Sequence, residues 1–373
     1  MSVARGRLRL EPWGVDYLGS VQDASGFAAD PDEELGGALA PGALEAELPL
    51  EAWRPLTAAA PAPVSRVLFL DGVRRVEARL LLEDEAPAFG ALGSCAVAAV
   101  ACRLSDGGGS AAFVDEPLVE RWCALGGGRS DHPDVLVTAA GGGQPIRYRT
   151  AASPDPDVDA PVRLLQAKMR DAERALAARL LPGLDDGLLL CDGPRPLLGD
   201  DPRVLGYLKT VQAQRLPPVA LEVVRGLEQG QRSPLYVVGE GEHARFEWYV
   251  RLRDPRPWLH TLAGSVRLQG HAGAEPERQL AWMRAVADWS CEALPRFATR
   301  AHQDPRAPQQ LLPVRALEQT LRRRLGSAPL LRRRLIAALA DGAPAAGGAP
   351  ASGRPPAAGG AAAGAVPEGS EAQ

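Results

Sequence analysis

Two apolar runs end on the same pair of residues: RVLFLDG at 66–72 closes on Asp71-Gly72, and GLLLCDG at 187–193 closes on Asp192-Gly193. An Asp-Gly pair has two readings. It makes a tight turn, because Asp tolerates the left-handed region and Gly supplies positive φ. Alternatively it leaves a carboxylate at the end of a buried strand, where a cation can be bound. A third carboxylate lies between the two in sequence. At about 100° per residue, Val162, Leu165, Met169, Leu176 and Leu180 fall on one helical stripe, and Glu173 lies inside it. A carboxylate on a buried helix face is costly unless it is neutralised, paired or bound to a cation. Glu173 therefore needs either an arginine partner or a divalent metal shared with Asp71 and Asp192. Hard cations such as Mg²⁺ or Mn²⁺ take carboxylate oxygens, and two of them about 4 Å apart stabilise both the attacking and the leaving oxygen of a phosphodiester.

Two further groups carry chemistry. Of 42 basic residues all but Lys168 and Lys209 are arginine, a bias that a GC-rich coding sequence produces, so arginine content says little about nucleic acid. Lys209 sits in the apolar run VLGYLKTV, where an ammonium either balances carboxylates, contacts a phosphate as a point charge, or marks a strand edge. In EWYVRLRD, Tyr249, Arg251 and Arg253 alternate with Trp248, Val250 and Leu252. One strand face thus offers an aromatic ring and two guanidinium groups, a set suited to single-stranded DNA, or forms the polar outside of an amphipathic strand.

The elements that position these residues follow from periodicity. A helix over about 159–182 has Asp159 as its candidate N-cap, Pro161 in its first turn and Pro182-Gly183 as its stop. RVLFLDGVRRVEARLLLED reads as a strand, an Asp-Gly, then an alternating strand with Arg75, Glu77 and Arg79 on one face, and GSCAVAAVACRLS reads as an antiparallel neighbour. GLLLCDG, RVLGYLKTVQ, ARFEWYVRLRD and AGSVRLQG supply four more strands, and helices return at 276–293, 314–325 and 328–340. The domain plan is an irregular or short helical extension over 1–60 containing Trp13 and Trp53, an α/β domain over 61–340, and a Gly/Ala/Pro tail over 341–373 too poor in apolar area to order itself.

Composition narrows the function classes. With 46% hydrophobic residues in 373, the chain can bury a sizeable core, and a net charge of −4 argues against a protein that coats polyanions with its whole surface. Five scattered cysteines without a C-x-x-C pair indicate neither a disulfide framework nor a zinc site, and no glycine-rich stretch continues into G-K-[ST]. The N-terminus lacks the apolar region of a signal peptide and no window reaches about 18 apolar residues, so no membrane span and a cytoplasmic location are expected.

The order VLFLDGVRR, LQAKMRDAERALA, LLLCDGPRPL, VLGYLK resembles the NurA family of DNA-repair nucleases over roughly residues 60–330. The resemblance implies an RNase H-like, Argonaute-related α/β core, with a mixed central sheet flanked by helices. On that basis Asp71, Glu173 and Asp192 are metal ligands and catalytic groups, and Lys209 is the family's basic residue in a Gly-x-x-Lys pattern. His302 stands nearest the family's C-terminal histidine ligand, with Asp304 as its substitute. The family implies Mn²⁺ or Mg²⁺ as cofactor, DNA ends and single strands as substrate in double-strand break repair, a homodimer, and the HerA hexameric ATPase as partner. The chain has Val73 and Pro194 where the family commonly has Ser after each Asp-Gly. These departures leave room for a second expectation, a non-cutting DNA-end or motor-binding subunit with the same fold.

Overall fold

The computed structural model describes residues 7–10, 45–103, 110–138, 144–209 and 216–341. The expected tail after 341, Trp13 and the glycine runs at 107–109 and 141–143 lie outside the described residues.

Arg66–Glu83 (β2) forms one strand of 18 residues, running straight through Asp71-Gly72. The expected turn at this pair is not made. The apolar and alternating halves are one strand because both pair continuously with Ala88–Arg103 (β3), the register shifting only between Val76 and Ala78. That bulge carries Glu77, which is buried and accepts hydrogen bonds from Ser94, Arg75, Arg121 and the Tyr148 hydroxyl. Arg75 also donates to the carbonyls of Leu325 and Gly326, so the network fastens the turn between the last two helices onto the sheet.

The N-terminal segment also contributes to the sheet: Arg7–Leu10 (β1) pairs antiparallel with Leu80–Glu83. Ser110–Phe113 (β4) and Leu118–Leu125 (β5) both pair with β3, and Val135–Val137 (β6) and Ile146–Ala152 (β7) extend that edge. The chain then crosses the sheet as Ala160–Leu180 (α1). Pro161 stands in its first turn and Leu181–Gly183 ends it, as its sequence predicts; Asp159 makes no capping bond and instead accepts from Arg79 at 3.0 Å.

Leu188–Asp192 (β8) returns parallel to β2, and Val204–Leu208 (β9) lies parallel to β8. Pro218–Arg225 (α2) and Tyr236–Val238 (β10) lead to the antiparallel pair Arg245–Arg251 (β11) and Ser265–His271 (β12), and β12 docks against β9. Three helices follow: Pro276–Phe297 (α3), Leu312–Arg324 (α4) and Ala328–Asp341 (α5). Among the described residues the result is a mixed twelve-stranded sheet with main order β10-β11-β12-β9-β8-β2-β3-β5-β7-β6. None of the described helices is long and apolar enough to cross a membrane.

Alternation along β2 sorts the layers. Leu68 and Leu70 pack with Met169, Ala172 and Leu176 of α1 on one face. Val67 and Phe69 pack with Met283, Val286 and Leu294 of α3 on the other, and Val73 meets Leu317 and Leu321 of α4. Asp71, between Phe69 and Val73, therefore points to the face that α3 and α4 cover.

Candidate metal centre

β8 stops at Asp192, and β1 does not join β2 until Leu80. Between Leu70 and Leu80 no described strand pairs with β2 on that side, and this opening exposes the middle of the sheet to both helical layers. Asp71 lies on β2 at its edge, and Asp192 closes β8 next to it, since Leu70 pairs with Cys191. Glu318 reaches in from α4. One carboxylate oxygen from each of Asp71, Asp192 and Glu318 lies within 4.8 Å of the others.

Each Asp-Gly glycine has a local reason. A Cβ on Gly72 would stand 2.5 Å from Oε1 of Glu173, 3.0 Å from Met169 and 3.1 Å from Val97. Gly72 is the gap that lets the Glu173 carboxylate of α1 lie against β2, at the opening and on the opposite face from Asp71. Gly193 has φ +110° and exchanges backbone hydrogen bonds with Tyr207, bending the chain away after Asp192. Carboxylate presentation therefore needs no turn: the first Asp-Gly stays inside its strand, and the second closes a strand that bends just after Gly193.

The electrostatics are those of crowded acids. Asp71 is 6% exposed; its Oδ1 accepts from the Gly72 amide at 2.8 Å, and its Oδ2 is buried without a hydrogen-bond partner. Burial, then the neighbouring Asp192, pushes the Asp71 carboxyl well above the usual carboxylate range; Lys209 opposes this, while Glu318 and Glu173 add to it. Lys209, directly after β9, places Nζ 2.5 Å from Oδ2 of Asp192 and 4.0 Å from Oε1 of Glu318. Glu318 accepts two bonds from Arg306, at 2.9 and 2.7 Å, and one from Gln310 at 2.9 Å. Burial alone would raise the Glu318 carboxyl, but the Arg306 bonds and the charge of Lys209 hold it below its ordinary value.

Asp71, Asp192 and Lys209 are brought together, but Glu173, expected as the third ligand, lies outside the carboxylate cluster: its carboxylate sits by Gly72 on the opposite face of β2, and Glu318 takes the third place. His302 is not among them. It lies exposed in the turn between α3 and α4, outside the carboxylate cluster. Asp304 is buried but committed to Arg306 and Arg315, so it positions the arginine that grips Glu318. Glu318 was open to the same inspection that finds Glu173. Val314, Leu317 and Leu321 form the buried stripe of α4, and Glu318 shares it.

Tyr249 and Arg251 do not form an open DNA-contacting face. Both faces of β11 are covered, because α3 packs on one and α2 with Trp53 and Tyr236 on the other. Arg251 is fully buried and donates to the carbonyls of Leu227, Ala263, Arg225, Thr261 and Val224. Arg253, just past the strand, is half-buried with its Nε enclosed. All five cysteines are free and buried.

The donor set consists of carboxylate oxygens alone, which suits a hard divalent cation better than a thiolate- or imidazole-seeking one. The buried, unpartnered Oδ2 of Asp71 is an acceptor for which a cation is a natural partner. Compared with known proteins, the sequence matches no family model and no curated protein.

Proposed function

We propose that this protein is a metal-dependent deoxyribonuclease with an RNase H-like core. The observation that carries the reading is the buried, unpartnered Asp71 oxygen within a cluster of three carboxylates drawn from three separate elements. A turn residue needs no such surroundings. The fold reading is supported by the centre of the sheet: three successive antiparallel strands β2, β3 and β5, the helix α1, then β8 and β9 laid parallel to β2.

In this reading Asp71, Asp192 and Glu318 hold Mn²⁺ or Mg²⁺, and Glu173 faces the same opening from α1. A divalent ion held there supplies positive charge for the oxyanion that develops at phosphorus and makes water a competent nucleophile near neutral pH. The chain's own groups do the rest. Lys209 and Arg306 supply positive charge beside the carboxylates, where a phosphodiester must approach. The covering of Asp71 by α4 limits water at the reacting centre. DNA ends, a homodimer and a HerA-type ATPase partner rest on the resemblance to NurA nucleases.

One observation favours a non-cutting DNA-end or motor-binding subunit: Arg306 and Gln310 already engage Glu318, and Lys209 already engages Asp192. Degradation of end-labelled single-stranded DNA by the full chain, with Mn²⁺, Mg²⁺ or EDTA, separates the two readings. The nuclease reading expects metal-dependent cleavage that Asp71→Asn and Asp192→Asn each reduce by at least about a hundredfold. DNA binding without cleavage in any metal, with the ATPase partner supplied, favours the subunit.

A further inference from the structure

We propose that the Lys209 ammonium is the built-in counter-cation of this centre, and that an entering divalent ion displaces it onto an anionic oxygen of the substrate. The inference rests on the metal-centre reading above and deepens it. Nζ of Lys209 lies 2.5 Å from Asp192 and 4.0 Å from Glu318, so it engages two of the three carboxylates that a metal would use. Only 14% of the side chain is exposed, which keeps competing solvent away.

The two carboxylates are not held alike. Glu318 keeps Arg306 and Gln310 whatever Lys209 does, and Arg306 is itself braced by Asp304. Among the described residues the Asp192 side chain has one close cation, Lys209. An ammonium on a four-carbon stem swings away readily; a guanidinium bound through its fork does not. The backbone need not follow, because Tyr207 is paired with Asp192 in the β8–β9 ladder and bonded to Gly193 on both sides of its peptide. A divalent ion among these oxygens would face the ammonium at a few ångströms, where like charges repel. Release turns this repulsion into a function, since the freed ammonium remains within one side-chain length of the ion and meets whatever anion binds there.

The chain contains a clean internal control, because its only other lysine, Lys168, lies on α1 over the Trp122 ring and beside Asp171. The experiment is brief acetylation of the full-length protein with acetic anhydride, in EDTA and in Mg²⁺, with site-by-site mass spectrometry and calorimetric titration of Mn²⁺ alongside. The ratio of Lys209 to Lys168 acetylation is expected to rise at least threefold with Mg²⁺, and Lys209→Met is expected to bind Mn²⁺ about tenfold more tightly than the natural chain. An unchanged ratio in protein that does bind Mn²⁺ overturns the displacement while leaving the metal centre standing. No Mn²⁺ binding by either chain overturns both.

Discussion

Asp71 is the residue on which stability and chemistry conflict. Its folded carboxyl holds a proton more tightly than an unfolded aspartate, which titrates near 3.9. The native state therefore binds more protons between the two pKa values, and metal-free stability falls as pH rises through that window. Asp71→Asn removes the unfavourable charge, so melting in EDTA at pH 7 should rise by roughly 2–4 °C, the equivalent of about 1 kcal/mol in a domain of this scale. The same variant should lose Mn²⁺ binding; a lower melting temperature in EDTA would contradict the assignment. Arg251 gives the opposite case. Arg251→Ala leaves five carbonyls short of a donor and should cost about 3 kcal/mol or more in urea unfolding, while the folded variant binds single-stranded DNA like the natural chain. At this scale the sequence singles out Asp71, Glu173, Asp192 and Lys209 because each is a charge inside an apolar pattern, and the structure brings Asp71, Asp192 and Lys209 together while leaving Glu173 outside the carboxylate cluster. It conceals that Tyr249 and Arg251 are enclosed, since strand alternation cannot say whether the second face is covered by another layer.

At the scale of elements, the centre depends on a gap in a strand and a charge in a helix. Gly72→Ala puts a methyl group where the Glu173 carboxylate lies, and 3.0 Å from Met169 of the same helix and 3.1 Å from Val97 of β3. We expect about 1–3 kcal/mol of destabilisation and weaker Mn²⁺ binding, measured by urea unfolding and calorimetry; Mn²⁺ affinity equal to that of the natural chain would remove Glu173 from the centre. Glu318→Gln tests α4 in the same way. It should lower Mn²⁺ affinity by at least about tenfold, whereas His302→Ala, in its exposed turn, should change it less than twofold. Helices α1, α3, α4 and α5 are legible from their 3.6-residue stripes, as are the strands that flank Asp71 and Asp192, whereas the eight-residue α2 is too short to show a stripe. Joining the two halves of β2 required β3 to pair across both, a non-local fact. Glu318 lies in the buried stripe of α4, and no Asp-Gly strand end marks it in the sequence as one marks Asp71 and Asp192.

For the whole molecule, the order of strands decides the chemistry. Residues 71, 192, 209 and 318 are far apart in sequence, and they meet because β8 inserts beside β2 and stops one residue past the pairing of Leu70 with Cys191. The short edge strands β4 to β7 and the return of β1 carry weak patterns, and their places are set by pairing with β3, β5 and β2. Among the described residues the three clustered carboxylates of Asp71, Asp192 and Glu318 meet two close cations, Lys209 and Arg306, an excess of negative charge that one divalent ion would offset. The most direct test is a crystal structure of the protein soaked in Mn²⁺, with anomalous diffraction recorded near the manganese edge. The account predicts an anomalous peak at about 2.0–2.4 Å from oxygens of Asp71, Asp192 and Glu318. A peak elsewhere, or none while Lys209 still holds Asp192, would contradict it.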